Sequence, residues 1–418
     1  MLLAKVLSRV LGEGQLTIID PDGKTHRVIG PKPGPAVTMR VHDHWSGLRL
    51  LLRPRLALGE AYMDGKITIE DGKDVYDLLD LLGRNITALD ATPFMTLSYG
   101  WQRLIRAVEQ YNPVGRAQKN VAHHYDLNDQ LYDFFLDRDR QYSCAYFKTG
   151  EEPLEQAQLD KKRHIASKML LQPGQKVLDI GSGWGGMGLF LGQQYGVDVT
   201  GVTLSKEQHA VSSRRALETG LADRVRFKLL DYRQEPDRYD RIVSVGMFEH
   251  VGVGHFGEFF RQCSRLLADD GVMVLHSIVR SEGPNTTNPW IDKYIFPGGY
   301  IPALSEVLPA VERAGLLVTD VEILRLHYAE TLLNWRTRFL AHAEEARRIY
   351  DERFVRMWEF YLAASEMAFR HQGMMVFQIQ LAKRVDTVPL TRDYIAREEA
   401  RLREIETQQR EPLRLAGE

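Results

Sequence analysis

One stretch limits the possible folds more than any other: Gln175-Lys176-Val177-Leu178-Asp179-Ile180-Gly181-Ser182-Gly183-Trp184-Gly185-Gly186. An apolar strand runs into a glycine-rich turn, and residues 187–194 continue at helical spacing. Glycines suit such a turn because they reach backbone angles closed to other residues and let a ligand approach the main chain. The helix that follows aims its first N–H groups and the positive end of its dipole at that ligand. Asp179, two residues before the first glycine, is placed to meet a cationic group such as an ammonium. Strand, glycine turn and helix in this order open a nucleotide-binding α/β domain. Gly181, Gly183 and Gly186 also spell G-x-G-x-x-G, which fits a dinucleotide fold. That fold expects a carboxylate at the end of the second strand to hold a ribose. Here the second strand, 197–203, ends in Thr203, and its only acid, Asp198, lies near its start.

Further strands are predicted at 225–229, 241–245 and 272–277, separated by helical patterns, so the fold class is α/β with a Rossmann-like, doubly wound parallel sheet. An insertion rich in Gly, Pro and aromatics follows at 283–300, and the helical runs 301–314 and 332–369 suggest a lid or substrate cap. Ahead of this unit, residues 1–85 read as a small α+β accessory domain. Strands at 16–20 and 24–29 flank the turn Pro21-Asp22-Gly23, 31–35 is loop, and 36–41 is a strand. An apolar run at 45–58 carries Arg49, Arg53 and Arg55, and the first eleven residues have amphipathic helical spacing, with Lys5 and Arg9 between the apolar positions. Residues 86–120 read as a helical linker, 121–390 as the catalytic domain, and 391–418 as a charged, solvated helix or tail.

Composition excludes some roles. A formal net charge of −2 gives no global attraction to nucleic acid. Cys144 and Cys263, the two cysteines, form no disulfide framework and no metal spacing, so no metal is expected and a reducing cytoplasm is the default. No run is long enough to span a bilayer, and the protein is expected to be soluble or to sit on a surface.

In open α/β sheets ligands bind beyond the carboxyl ends of the strands. Three clusters fall there: Thr203 to Gln208 after the second strand, Gly246-Met247-Phe248-Glu249-His250 after the fourth, and Leu275-His276-Ser277-Ile278 closing the fifth. The fourth and fifth strands are neighbours in the usual order, so Glu249 and His276 should converge, a pairing suited to handling a proton or to holding a small anion that does. Each also has an ordinary explanation, Glu249 as a helix cap, His250 as a packed polar residue and His276 as a satisfied core histidine. Asp231 and Tyr232, after the third strand, offer a carboxylate for an exocyclic amine and a ring for stacking, or are plain loop residues. Cys144 reads as a buried small hydrophobe rather than a reactive thiol.

Taken together, these motifs resemble the cyclopropane-fatty-acyl-phospholipid synthase and mycolic-acid cyclopropane synthase family of S-adenosylmethionine-dependent enzymes. The resemblance runs from about residue 56 to 383. It is carried by His124-Tyr125-Asp126-Leu127, Tyr142-Ser143-Cys144-Ala145-Tyr146-Phe147, the loop 177–186, residues 203–208, the run 240–252, His276-Ser277-Ile278, Tyr294-Ile295-Phe296-Pro297-Gly298-Gly299 and His327-Tyr328-Ala329-Glu330-Thr331-Leu332. It implies a class I methyltransferase fold and transfer of the cofactor's methyl carbon to a cis double bond of an unsaturated phospholipid acyl chain. The positive charge that develops would be met by rings such as Tyr142, Tyr146, Phe147, Phe248 and Tyr300. Family members use a bicarbonate ion as the base that removes a proton before ring closure. The matching positions here are Cys144, Glu249, His276, Tyr328 and the main chain at Ile278, with either a protonated Glu249 or a cationic His276 offsetting the anion. Tyr142, Ser143, Asp179, Gly181, Gly183, Thr203 and Gln208 would hold the methionine and ribose groups of S-adenosylmethionine, and Asp231 and Tyr232 would face its adenine.

One departure is Ser182, where the family often has cysteine. The resemblance further implies a homodimer, peripheral association with the inner face of the membrane, and intact phospholipid as substrate, because the accessory domain belongs to the phospholipid-acting branch. A methyl- or methylene-branch-forming relative is the alternative within the family. A nicotinamide oxidoreductase lacks its ribose carboxylate here, and a non-catalytic lipid-binding protein would have no need of the pocket residues.

Overall fold

The computed structural model describes residues 1–87 and 129–410. The motif at 123–126, the linker beyond residue 87 and residues 411–418 lie outside these described residues. The N-terminal unit is built on a sheet in the order β2-β1-β3-β4. Its strands are β1 (Glu13–Ile19), β2 (Thr25–Ile29), β3 (Lys32–Val41) and β4 (Ile67–Ile69). β1 and β2 form the antiparallel hairpin expected around Pro21-Asp22-Gly23, and β3 runs parallel to β1. β3 begins at Lys32, inside the expected loop. Proline has no N–H to give a ladder, but β4 pairs only with residues 39–41. The other edge beside Pro33 and Pro35 is therefore open, and the register against β1 shifts between Glu13 and Gln15. The apolar run after β3 forms two helices, His44–Leu52 and Pro54–Met63.

The second sheet has seven strands in the order β10-β11-β9-β8-β5-β6-β7. They are β5 (Lys176–Ile180), β6 (Asp198–Thr203), β7 (Val225–Leu229), β8 (Tyr239–Val245), β9 (Leu267–Arg280), β10 (Leu317–Leu324) and β11 (Met374–Ala382). β5 to β9 pair in parallel, and β11 is inserted antiparallel between β9 and β10. This is the class I S-adenosylmethionine methyltransferase arrangement. β5 has β6 on one side and β8 on the other, so the chain reverses its direction of winding there, the place where such sheets hold ligands.

The cap is helical: Pro289–Tyr294, Leu304–Arg313, His327–Ala341, Ala343–Ile349 and Glu352–His371. Trp290, Trp335 and Trp358 are fully buried in it. The N-terminal unit packs onto this cap: Tyr62 Oη donates to Glu359 at 2.6 Å, Arg353 to Asp64 at 2.9 Å, and His371 meets Asp80 at 2.7 Å.

The C-terminal segment corrects an expectation. Residues Asp393–Arg410 form a helix laid on the Leu154–Lys168 helix instead of a solvated tail. Leu402 is fully buried, Arg163 pairs with Glu406, and His164 Nδ1 meets Glu399 at 2.5 Å.

Candidate active site

A cleft opens at the carboxyl ends of β5, β6, β7 and β8, leaving about 1180 Å³ of unfilled space, its mouth included. Its floor is the glycine turn. Gly181 and Gly183 have φ of +80° and +54°, and a Cβ built on Gly183 would meet nothing within 4 Å, so the turn presents bare main chain to the cavity. Gly185 caps the Gly186–Tyr195 helix at φ +87°, aiming its N-terminus toward the cleft. All the residues matched to cofactor positions line this cavity: Tyr142, Ser143, Asp179, Gly181, Gly183, Thr203, Gln208, Asp231 and Tyr232.

Each is held by its surroundings. Ser205 caps the Lys206–Glu218 helix and accepts from the Gln208 N–H at 3.2 Å. The Thr203 hydroxyl donates to Gln208 Oε1 at 3.0 Å, which leaves the Gln208 NH2 to donate elsewhere. Asp231 accepts from Arg233 through both oxygens, at 2.9 and 2.8 Å, so its carboxylate is already partly neutralised. Ser143 is pinned by Lys161, whose Nζ donates to its hydroxyl at 2.8 Å and to Gln141 Oε1 at 2.7 Å. Burial pushes this ammonium down to about 8. Tyr142 Oη lies 2.8 Å from Tyr361 Oη.

Asp179 provides the test of fit to a cationic ligand. It is buried, its Oδ2 has no hydrogen-bond partner, and burial pushes its carboxyl up to about 7. A cationic ammonium would complete that oxygen and return the group to its ionised form.

The residues matched to the anion site lie behind the cleft, not in its lining. Glu249 follows β8, and His276 ends the part of β9 that pairs with β8, with Val245 opposite it. The Ile278 N–H donates to Glu249 Oε1 at 2.7 Å, so in this structure that N–H is directed at the carboxyl. Glu249 Oε2 is buried without a partner. Burial raises the Glu249 carboxyl and lowers the His276 imidazole well below its usual value, helped for His276 by the positive fields of Lys161 and Lys168. Burial therefore biases Glu249 toward its protonated form and His276 toward its neutral form. Cys144 is fully buried, its thiol pushed up by burial and its Sγ 3.3 Å from the Ala145 carbonyl. Tyr328 stands edge-on to Trp335, in the same apolar cluster as Cys144 and Ile278.

Of the rings considered for a developing positive charge, Tyr142 alone lines the cleft. Phe248 is packed among Phe256, Phe259 and Phe260, the Tyr300 hydroxyl is tied to Glu306, and Tyr146 stacks between His164 and His327. His250, read from the sequence as a packed polar residue, lines the cleft and is pushed down to about 4 by burial, and Trp184 and Arg140, which sequence reasoning passed over, line it too. His250 lies next to Glu249 in the motif, and its position beyond the end of β8 was the available signal.

Sheet order and glycine cleft together define a class I S-adenosylmethionine-dependent methyltransferase. The sequence matches the family described as mycolic acid cyclopropane synthetase over residues 114–379. It is 33% identical over 364 residues to a "Probable fatty acid methyltransferase" of Pseudomonas putida, spanning 84% of this chain and 88% of that protein. It is 36% identical over 340 residues to the cyclopropane-fatty-acyl-phospholipid synthase of Escherichia coli K12, spanning 81% and 86%. Among solved structures, mycolic acid cyclopropane synthase CmaA1 complexed with SAH and CTAB superposes with a TM-score of 0.61 at 33% identity, covering 65% of this chain and 99% of that one. The chain belongs to the mycolic acid cyclopropane synthetase family, and it is an S-adenosylmethionine-dependent methyltransferase of lipids.

Proposed function

We propose that the protein is a cyclopropane synthase acting on the cis double bond of unsaturated phospholipid acyl chains, with bicarbonate as the base. Bound S-adenosylmethionine supplies an electrophilic methyl carbon. The alkene is a poor nucleophile, so the chain's contribution is placement and exclusion of water. Gly181 and Gly183 bring main chain against the cofactor, Asp179 holds its ammonium, and the Tyr142 ring offers a negative face to positive charge developing on the lipid. The observation that carries the anion assignment is the buried, unpartnered Oε2 of Glu249, a carboxyl that burial biases toward its protonated form, beside a histidine that burial biases toward its neutral form. In those forms the acid O–H and the ring N–H are donors, the set a small anion requires. A bicarbonate held there would supply the base that removes a proton before ring closure. The branch-forming alternative needs the same residues up to proton removal, and the name of the Pseudomonas putida relative keeps it in the test.

We also propose that the N-terminal unit engages the bilayer. Leu2 and Val6 on one helix, and Trp45, Leu48 and Leu52 on its neighbour, are exposed, with Lys5, Arg9 and Arg53 exposed around them. The basic run divides, because Arg49 is paired with Glu60 and Arg55 is half-buried.

The test combines protein, S-adenosylmethionine and vesicles of an unsaturated phospholipid, with proton NMR of the released fatty ester. Upfield ring protons are expected, whereas vinylidene protons would establish branch formation instead. Glu249→Gln should lower turnover by about a hundredfold or more with little change in S-adenosylmethionine affinity measured by calorimetry. Equal loss of binding would place Glu249 in the cofactor site.

A further inference from the structure

We propose that Gln378 is a positioning residue that holds His276 as the tautomer protonated on Nε2, so that this nitrogen can only donate toward a bound anion. The consequence for catalysis rests on the anion reading above, but the tautomer assignment does not.

His276 on β9 and Gln378 on β11 are directly opposed in the ladder, and both are buried. Gln378 Nε2 lies 3.1 Å from His276 Nδ1. On the other side of the amide, Lys168 Nζ lies 2.8 Å from Gln378 Oε1. The orientation of a glutamine amide is often arbitrary, because oxygen and nitrogen look alike. Here it is not. An ammonium has only hydrogens to offer, so the amide oxygen must face Lys168 and the NH2 must face the imidazole. Nδ1 then has to accept, and a neutral ring keeps its single hydrogen on Nε2. Lys168 is itself fixed, with its side chain fully buried and its Nζ on the Glu322 carboxylate, with Asp320 at 4.0 Å. His164 Nε2 meets the same carboxylate at 2.7 Å. His164 and Lys168 hold the Glu322 carboxyl well below its usual range although burial opposes this, so the ion pair that orients the chain Lys168–Gln378–His276 is kept.

The alternative tautomer would turn an Nε2 lone pair toward an anion and repel it. Gln378 touches neither lipid nor cofactor in this scheme. It acts through His276, and Lys168 acts through Gln378.

The experiment is long-range proton–nitrogen correlation NMR on the full chain carrying 15N-histidine, with the His276 signals assigned by their loss in His276→Gln. Protonated and bare ring nitrogens resonate far apart, so the tautomer is read without any substrate. The wild type should show bare Nδ1 and protonated Nε2. Gln378→Glu, which has no hydrogen to give, should move a hydrogen onto Nδ1 and lower turnover by about tenfold or more, with S-adenosylmethionine affinity unchanged. Gln378→Leu should leave a mixture of tautomers. A wild-type ring protonated on Nδ1, or an even mixture, overturns the proposal even if no variant folds. A wild-type Nε2–H ring in an enzyme that makes neither a cyclopropane nor a branched product would instead leave this inference standing and remove the anion reading.

Discussion

A carboxyl buried at the floor of a cleft with one oxygen unpartnered is costly, and Asp179 bears that cost. Folding raises its pKa from the usual carboxylate value to about 7. An acid shifted upward leaves the fold unpenalised while it stays protonated. As pH rises from about 4, the unfolded chain ionises first, and native stability falls until the folded group also ionises near 7, beyond which the loss is complete. Asp179→Asn should therefore melt at a higher temperature than the wild type without cofactor. The gain should be small near pH 4 and full above pH 7. On the role proposed for Asp179 the same substitution also removes the partner of the ammonium, so S-adenosylmethionine affinity should fall by about tenfold or more. Calorimetry and thermal melts at several pH values check both. A fall in stability would mean that Asp179 is a structural acid. Its position, two residues before the glycines, made it legible in the sequence. Lys161 and Gln378 were not legible, because each acts only through what tertiary folding brings beside it: Ser143 for one, His276 and Lys168 for the other.

At the level of elements, the parallel strands β5 to β9 could be read because apolar, β-branched runs alternate with helical patterns, and the glycine turn fixed which came first. β10 and β11 could not. β11 alternates through Phe377-Gln378-Ile379-Gln380-Leu381, but both of its faces are buried, so the pattern does not mark one solvated face, and it enters the sheet only after the long helices of the cap. The Leu154–Lys168 helix was hidden for the opposite reason. Its sequence is polar, yet Lys161, Lys162, Arg163, His164 and Lys168 are all buried, because acids from β10 and the C-terminal helix cover most of them. That arrangement makes the C-terminal helix structural. Leu402, fully buried against the first parallel strands' helix layer, should cost about 2–4 kcal/mol on Leu402→Ala. A solvated tail would lose less than about 0.5 kcal/mol. Urea unfolding midpoints distinguish the two.

Over the whole molecule, the phospholipid reading proposed above requires the cofactor cleft to receive a substrate from a bilayer, and among the described residues no helix is long and apolar enough to cross a membrane. The N-terminal unit offers a route. Its junction with the cap is close-fitting and both apolar and polar: Met63, Val75 and Leu79 share a buried cluster with Trp290 and Trp358, Lys293 bonds Glu60 at 2.7 Å, Arg336 bonds Asp74 at 3.1 Å, and a Cβ on Gly59 would fall 2.4 Å from the Trp290 ring nitrogen. A contact made by the His44–Leu52 helix is thereby passed to the cap instead of being lost in a flexible tether. Trp45, Leu48 and Leu52 recur on one face of that helix, and their exposure means that replacing them removes little folding energy. Each apolar side chain taken up by lipid is worth on the order of 1 kcal/mol or more. The triple variant Trp45→Ala, Leu48→Ser, Leu52→Ser should therefore reduce the vesicle-bound fraction by about tenfold or more, while its activity on detergent-dispersed lipid is largely retained. Binding of the wild type to anionic vesicles should weaken as salt screens Lys5, Arg9 and Arg53. Co-sedimentation across a salt series measures both effects. If the triple variant sediments like the wild type, the lipid enters by another face of the molecule, and the exposed residues of the His44–Leu52 helix need a different partner.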